Sequence, residues 1–92
     1  MIRSFRCQET RAIHAGYSSR SFHGVDEQAR KRLRWLDAAT SLTDLAAIRG
    51  NRLEALKGDR AGQHSIRVND QWRICFSWRE GNAYDVEIVD YH

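Results

Sequence analysis

The spacing of apolar residues changes period once, between Gly50 and His64, and divides the chain into a helical part and a strand part. In the first part Val25, Ala29, Leu33 and Leu36 fall on one stripe at helical spacing, while Arg30, Lys31 and Arg34 lie off it. This predicts a helix over 25–39 with one apolar face. Asp26 and Glu27 stand in its first turn, where carboxylates oppose the helix dipole favourably. A shorter helix is predicted over 8–16, around Ala12 and Ile13 and ending at Gly16, followed by a Ser-rich loop over 17–24. Ser41-Leu42-Thr43-Asp44 reads as a capping box with Asp in place of Glu, opening a third helix that stops at Gly50. At the start of the chain, residues 2–6 alternate and predict a short strand.

Beyond the change of period, His64-Ser65-Ile66-Arg67-Val68 alternates, Asn69-Asp70 is turn chemistry, and Trp72-Arg73-Ile74-Cys75-Phe76-Ser77-Trp78 alternates again. Gly81-Asn82 turns the chain into a third strand, Tyr84-Asp85-Val86-Glu87-Ile88-Val89. The class is α+β: an N-terminal strand and two to three helices packed on a small twisted antiparallel sheet with a three-strand C-terminal meander, as one domain over 1–92. Alternation sends Ile66, Val68, Trp72, Ile74, Phe76, Trp78, Tyr84, Val86 and Ile88 toward the helices. Ser65, Arg67, Arg73, Cys75, Ser77, Glu87 and Tyr91 then share the other face, which an antiparallel sheet can leave wet. On that reading Arg73 and His92 are replaceable with little effect on folding.

Composition sharpens the reading only in its charge. The 29% of charged residues fit a globular domain, and no apolar run approaches the roughly 20 residues of a membrane span. The first residues lack the apolar core of a signal peptide, which predicts a cytoplasmic protein without membrane association. Two cysteines are too few for a disulfide scaffold. The basic residues are 13 Arg and 2 Lys; residues 1–36 carry +5, residues 37–79 carry +2 and residues 80–92 carry −4. A planar guanidinium grips phosphate by two hydrogen bonds and stacks on bases, so this balance points to a nucleic-acid partner.

Among candidate chemistries, the four His and two Cys show no spacing of metal ligands, and neither a metal nor a cofactor is expected. Cys7 and Cys75 have no neighbour in sequence that would activate a thiol. Gly58-Asp59-Arg60-Ala61-Gly62 lacks the Gly-Lys-Ser/Thr of a phosphate-binding loop. The chain end is different: Asp90-Tyr91-His92 closes a strand beside Arg73, and Lys57 enters the loop before the sheet. Metal-free RNA cleavage needs such groups, a proton acceptor and donor near neutrality and cations for the phosphorane.

Leu53-Glu54-Ala55-Leu56-Lys57-Gly58-Asp59-Arg60, His64-Ser65-Ile66-Arg67-Val68, Trp72-Arg73-Ile74 and the terminal Asp90-Tyr91-His92 together resemble the HigB/GraT group of the RelE/ParE toxin superfamily. The resemblance implies a RelE-like fold and the toxin of a type II toxin–antitoxin pair, a ribosome-dependent endoribonuclease cutting mRNA by attack of the 2′-hydroxyl. It implies that Lys57 and Arg73 neutralise the scissile phosphate. Asp90, Tyr91 and His92 complete the catalytic set, with His92 transferring a proton and Asp90 either orienting a neighbour or transferring one itself. Some members have His where this chain has Glu54, leaving Glu54 as a general base or a surface carboxylate beside Arg52. Arg60 and Arg67 are assigned to RNA binding. The partners implied are a helix-turn-helix, HigA-like antitoxin, mRNA on the ribosome, and operator DNA only through the antitoxin. Two other functions compete: a ParE-like gyrase inhibitor, which shares the fold without the cleavage residues, and an RNA- or ribosome-binding module that does not cleave.

Overall fold

Three helices precede a four-stranded sheet in the computed structural model, which describes residues 1–22 and 24–90. The helices are α1 (Gln8–Ala15), α2 (Asp26–Ala38) and α3 (Leu42–Ala47). The strands β1 (Glu54–Ala55), β2 (Gln63–Arg67), β3 (Trp72–Arg79) and β4 (Asn82–Asp90) pair antiparallel in chain order. The expected meander is present as β2, β3 and β4. The expected strand over 2–6 is not a strand: Ile2 and Phe5 make isolated parallel bridges to Ala83 and Val86, along the outer edge of β4. The fourth strand is instead β1, whose two residues are too few to show a period.

The apolar stripe of α2 behaves as its spacing requires, with Ala29, Leu33 and Leu36 fully buried. They meet Ile13 of α1, Leu45 of α3 and the inward positions Ile66, Ile74, Phe76, Ala83, Val86 and Ile88 in one core. Gly16 ends α1 at φ 104°, a conformation that side chains with a Cβ avoid, and the N–H groups of Gly16 and Tyr17 close onto the carbonyls of Ile13 and Ala12. The Ser41 hydroxyl caps α3 by accepting from the Asp44 N–H at 3.2 Å. The Asp44 carboxylate in turn accepts from the N–H and hydroxyl of Thr40. These bonds hold its pKa below the ordinary carboxylate value. The helix ends at Ala47, and a 3-10 turn (Arg49–Asn51) carries the chain past Gly50.

Alternation fails at one place. Cys75 pairs with Glu87, but Ser77 pairs with Tyr84, so β4 spends three steps where β3 spends two. The extra residue is a β-bulge around Asp85, whose φ is 53°. Tyr84 therefore leaves the helix side, where alternation had placed it, and joins Ser77 on the open face, while Ala83 takes the inward position opposite Trp78.

Two buried polar side chains tie the helical layer to itself and to the sheet. Arg30, off the apolar stripe yet only 7% exposed, donates to the carbonyls of Ile13 at 2.8 Å and Tyr17 at 3.0 Å and pairs with Glu27. A cation at the C-terminus of α1 also suits its dipole. Thr10 of α1 accepts from the Ile88 N–H at 3.0 Å. The isosteric change Thr10→Val leaves that N–H buried without an acceptor and should cost about 1–3 kcal/mol, read as a lower urea midpoint at unchanged m-value. Thr10→Ser should recover most of the loss; equal losses in both would mean that methyl packing, not the hydrogen bond, holds α1 to β4.

Candidate functional site

Direct pairing sets Glu54, Ser65, Cys75 and Glu87 in one row across the sheet face turned away from the helices. Arg67, Arg73 and Val89 form the row on one side, and Gln63, Ser77 and Tyr84 the row on the other. Arg73 lies opposite in sense to Ile74, as alternation requires. This face is not wet at its centre, however: Ser65 and Cys75 are fully buried and Arg73 is 8% exposed. The physical reason is the arginines themselves. Arg73 lies along the sheet, its Nε donating to Ser65 Oγ at 2.7 Å and its Nη2 to the Arg52 carbonyl at 2.7 Å. Arg60 crosses from the other direction, donating through Nη1 to Gln63 Oε1 at 3.0 Å and pairing through Nη2 with Glu87 Oε1 at 2.7 Å. Arg73 is therefore part of the fold, and the expectation that it is dispensable for folding is corrected.

Beside this layer, β1 and the loop after it shape a cleft of about 360 Å³ lined by Glu54, Ala55, Leu56, Lys57 and Arg60. The Leu56 N–H bonds the Gln63 carbonyl at 2.9 Å, which fixes the loop to the start of β2. Lys57 then stands exposed ahead of a 3-10 turn (Gly58–Arg60), and the turn brings Arg60 back over the sheet. The Glu87 carboxylate, accepting from the Arg60 guanidinium, pushes its pKa above the ordinary arginine value. Below it, burial pushes the Cys75 thiol up, against the pull of Arg60 and Arg73. A buried thiol held protonated is a poor nucleophile, in keeping with the inert role expected of Cys75.

The structure thus brings Lys57, Arg60 and Glu54 to one cleft and sets Arg73 under the adjoining face. Arg67 lies farther along, half-buried; its side chain pairs with Asp70 and its carbonyl accepts from Arg32 Nε at 3.1 Å. Asp90 ends β4 opposite Trp72, exposed, and accepts from Gln71 Nε2 at 3.2 Å. Tyr91 and His92 lie outside the described residues. Arg73 pairs with Val89 and Trp72 with Asp90, so Asp90 lies one pair from Arg73 along the strand and on the face of Trp72. Among the described residues no three His, Cys, Asp or Glu side chains group as metal ligands would. Sequence reasoning did not find Gln63 and Glu87 as the partners of Arg60. The signal was available for Glu87, an acid set among apolar strand positions in the row of Cys75. It was absent for Gln63, whose role depends on how the loop returns.

Comparison with known proteins agrees with this architecture. The chain is 47% identical over 59 residues to Toxin HigB-1 of Vibrio cholerae, a match spanning 64% of this chain and 62% of that protein. It is 33% identical over 93 residues to Endoribonuclease HigB of Proteus vulgaris, a match spanning 100% of both. Its fold is similar to that of a chain from the YoeB dimer of Staphylococcus aureus, with a TM-score of 0.56 at 16% identity over 99% of this chain and 97% of that one. The family described as the RelE-like toxin of the type II toxin–antitoxin system HigB matches residues 9–92, and the chain therefore belongs to the HigB-like toxins.

Proposed function

We propose that this chain is an endoribonuclease that cleaves mRNA on the ribosome as the toxin of its toxin–antitoxin pair. The observation that carries the reading is the meeting of Lys57, Arg60 and Glu54 in one cleft, beside a sheet face in which Arg73 is held by hydrogen bonds. The full-length similarity to Endoribonuclease HigB of Proteus vulgaris supports it. In cleavage the 2′-oxygen loses its proton and bonds to phosphorus, the bond from phosphorus to the 5′-oxygen breaks, and that oxygen takes a proton. The products are a 2′,3′-cyclic phosphate and a 5′-hydroxyl. Lys57 contacts the phosphate from the cleft, and Arg73 adds positive charge from beneath; both favour the phosphorane over the ground state because its charge is greater. His92 transfers a proton, and Asp90 and Tyr91 complete the catalytic set. Glu54 lines the cleft as a carboxylate able to accept the 2′-hydroxyl proton. Arg60 and Arg67 bind flanking phosphates, each already oriented by a carboxylate, Glu87 or Asp70. The antitoxin of the pair is a HigA-like helix-turn-helix protein through which alone the complex meets operator DNA, and the site of action is the cytoplasm.

Lys57→Ala and His92→Ala should each lower single-turnover cleavage of ribosome-bound mRNA by about 10²-fold or more, with a larger loss at His92 than at Glu54. Lys57→Ala should leave the urea midpoint unchanged, since Lys57 is exposed. Cleavage at the unsubstituted rate by a folded His92→Ala protein would take His92 out of the catalytic set, whereas an unsubstituted protein that binds ribosomes without cutting mRNA would be the binding module instead.

Arg73→Ala should behave differently from Lys57→Ala. It removes donors from Ser65 Oγ and the Arg52 carbonyl, so stability should fall by about 1–3 kcal/mol together with the cleavage rate. A variant that is inactive but fully stable would contradict the structural half of this assignment.

A further inference from the structure

The bulge in β4 has a cost and a product. Asp85 sits at φ 53°, where a residue with a Cβ is strained by about 1–2 kcal/mol, and its N–H is held by Ser4 Oγ at 2.9 Å. The product is the position of Tyr84. Without the extra residue Tyr84 would share the helix side with Val86 and Ile88; with it, Tyr84 stands on the open face opposite Ser77. There Arg79 lays its guanidinium over the Tyr84 ring, 4.1 Å from the centroid. Arg79 is exposed and Tyr84 half-buried, so the stack has its aromatic layer against the sheet and its cationic plane toward solvent. Bulges beside active sites commonly re-aim one side chain in this way.

The stack is continuous with the cleft. Gln63, which accepts from Arg60, pairs with Ser77, and Ser77 pairs with Tyr84. One row therefore leads from the Lys57–Arg60 cleft to the Arg79–Tyr84 stack across two strand spacings, about 10 Å. Polar groups line it: the Gln63 amide and the Ser77 hydroxyl. A flat guanidinium backed by an aromatic ring is a surface on which a nucleobase stacks without regard to its hydrogen-bonding edge. We propose that Arg79 and Tyr84 form a base-stacking subsite for single-stranded RNA, seating a nucleotide that flanks the scissile phosphate. The proposal rests on the RNA-cleaving reading above and adds to it a substrate contact outside the cleft. Because stacking tolerates every base, this subsite supplies affinity and register; it supplies no codon choice.

The test is single-turnover cleavage of ribosome-bound mRNA across a range of toxin concentrations. Tyr84→Ala and Arg79→Ala should each raise the half-saturating concentration by roughly tenfold, the size of one lost base stack, with the saturated rate nearly unchanged. Tyr84→Trp should keep binding. An mRNA made abasic at one of the two nucleotides flanking the cut should lose the same factor with the unsubstituted protein and nothing further with Tyr84→Ala. Binding by both alanine variants at the unsubstituted level overturns the subsite, and so do losses that multiply between variant and abasic mRNA at both flanking positions. Arg79 is exposed, so its replacement tests the idea even where Tyr84→Ala weakens the fold. The unsubstituted protein, Lys57→Ala and His92→Ala run alongside: if the unsubstituted protein does not cleave, the nuclease reading itself fails, and if Lys57→Ala and His92→Ala cleave normally, only their catalytic roles fail. If they are inactive while Tyr84→Ala and Arg79→Ala bind fully, only the subsite fails.

Discussion

A guanidinium taken out of water must keep its charge and find acceptors, and the open face of this sheet is organised around that requirement at Arg73. Leaving such a group unsatisfied costs several kcal/mol. Ser65 is a fully buried hydroxyl, and it meets Arg73 Nε. The chain just ahead of β1 turns its Arg52 carbonyl onto the same guanidinium, at an Arg52 φ of 44°. That contact anchors the segment leading into β1, and β1 with its following loop is one wall of the Lys57 cleft. The acceptors that stabilise Arg73 thus also set where the cleft begins, which links folding to the candidate chemistry through one side chain.

Arg60 is held by the complementary device. Its carboxylate partner, Glu87, is on β4, and its amide partner, Gln63, is on β2, so the side chain bridges the sheet above Cys75. An arginine secured on both sides loses little rotamer freedom when it meets a phosphate, whereas a free surface arginine must give that freedom up on binding. The same pairing lowers the local positive charge. Lys57, exposed and on a short loop, has no such constraint, and a flexible point charge at the rim is the natural direct contact to an incoming backbone.

Much of the fold was legible because it rests on periods: the stripe Ala29, Leu33 and Leu36, and the alternation Trp72 to Trp78, each report burial on one side. What was not legible depends on events without a period. A two-residue strand such as β1 carries no alternation, and residues 2–6 alternate without making more than isolated bridges because only part of the β4 edge accepts them. The bulge was hidden because Tyr84, Val86 and Ile88 alternate correctly on paper, and Ala83 is too small to announce itself as a core residue. Arg73 was placed on the right face with the wrong surroundings: alternation assigns a side, but the cover over that side comes from Arg60 and from the backbone near Arg52, far away in sequence.

The candidate site shows the same division. Lys57 and Arg60 reach one cleft because a Gly58 at φ 65° lets the chain fold back within four residues, a constraint that the local sequence carries. Asp90 lies one pair from Arg73, on the face of Trp72, because antiparallel pairing brings the start of β3 to the end of β4, which the strand order alone dictates. Glu87 and Gln63 needed the register between three strands, and register depends on the bulge. The one strained residue in β4 therefore decides which side chains share the open face with the arginines. Removing it in thought moves Tyr84 inward, where its hydroxyl would be buried in an apolar core at a cost of about 1–3 kcal/mol if left without a partner. That penalty is comparable to the strain at Asp85, so a tyrosine at this position and a bulge after it stabilise one another.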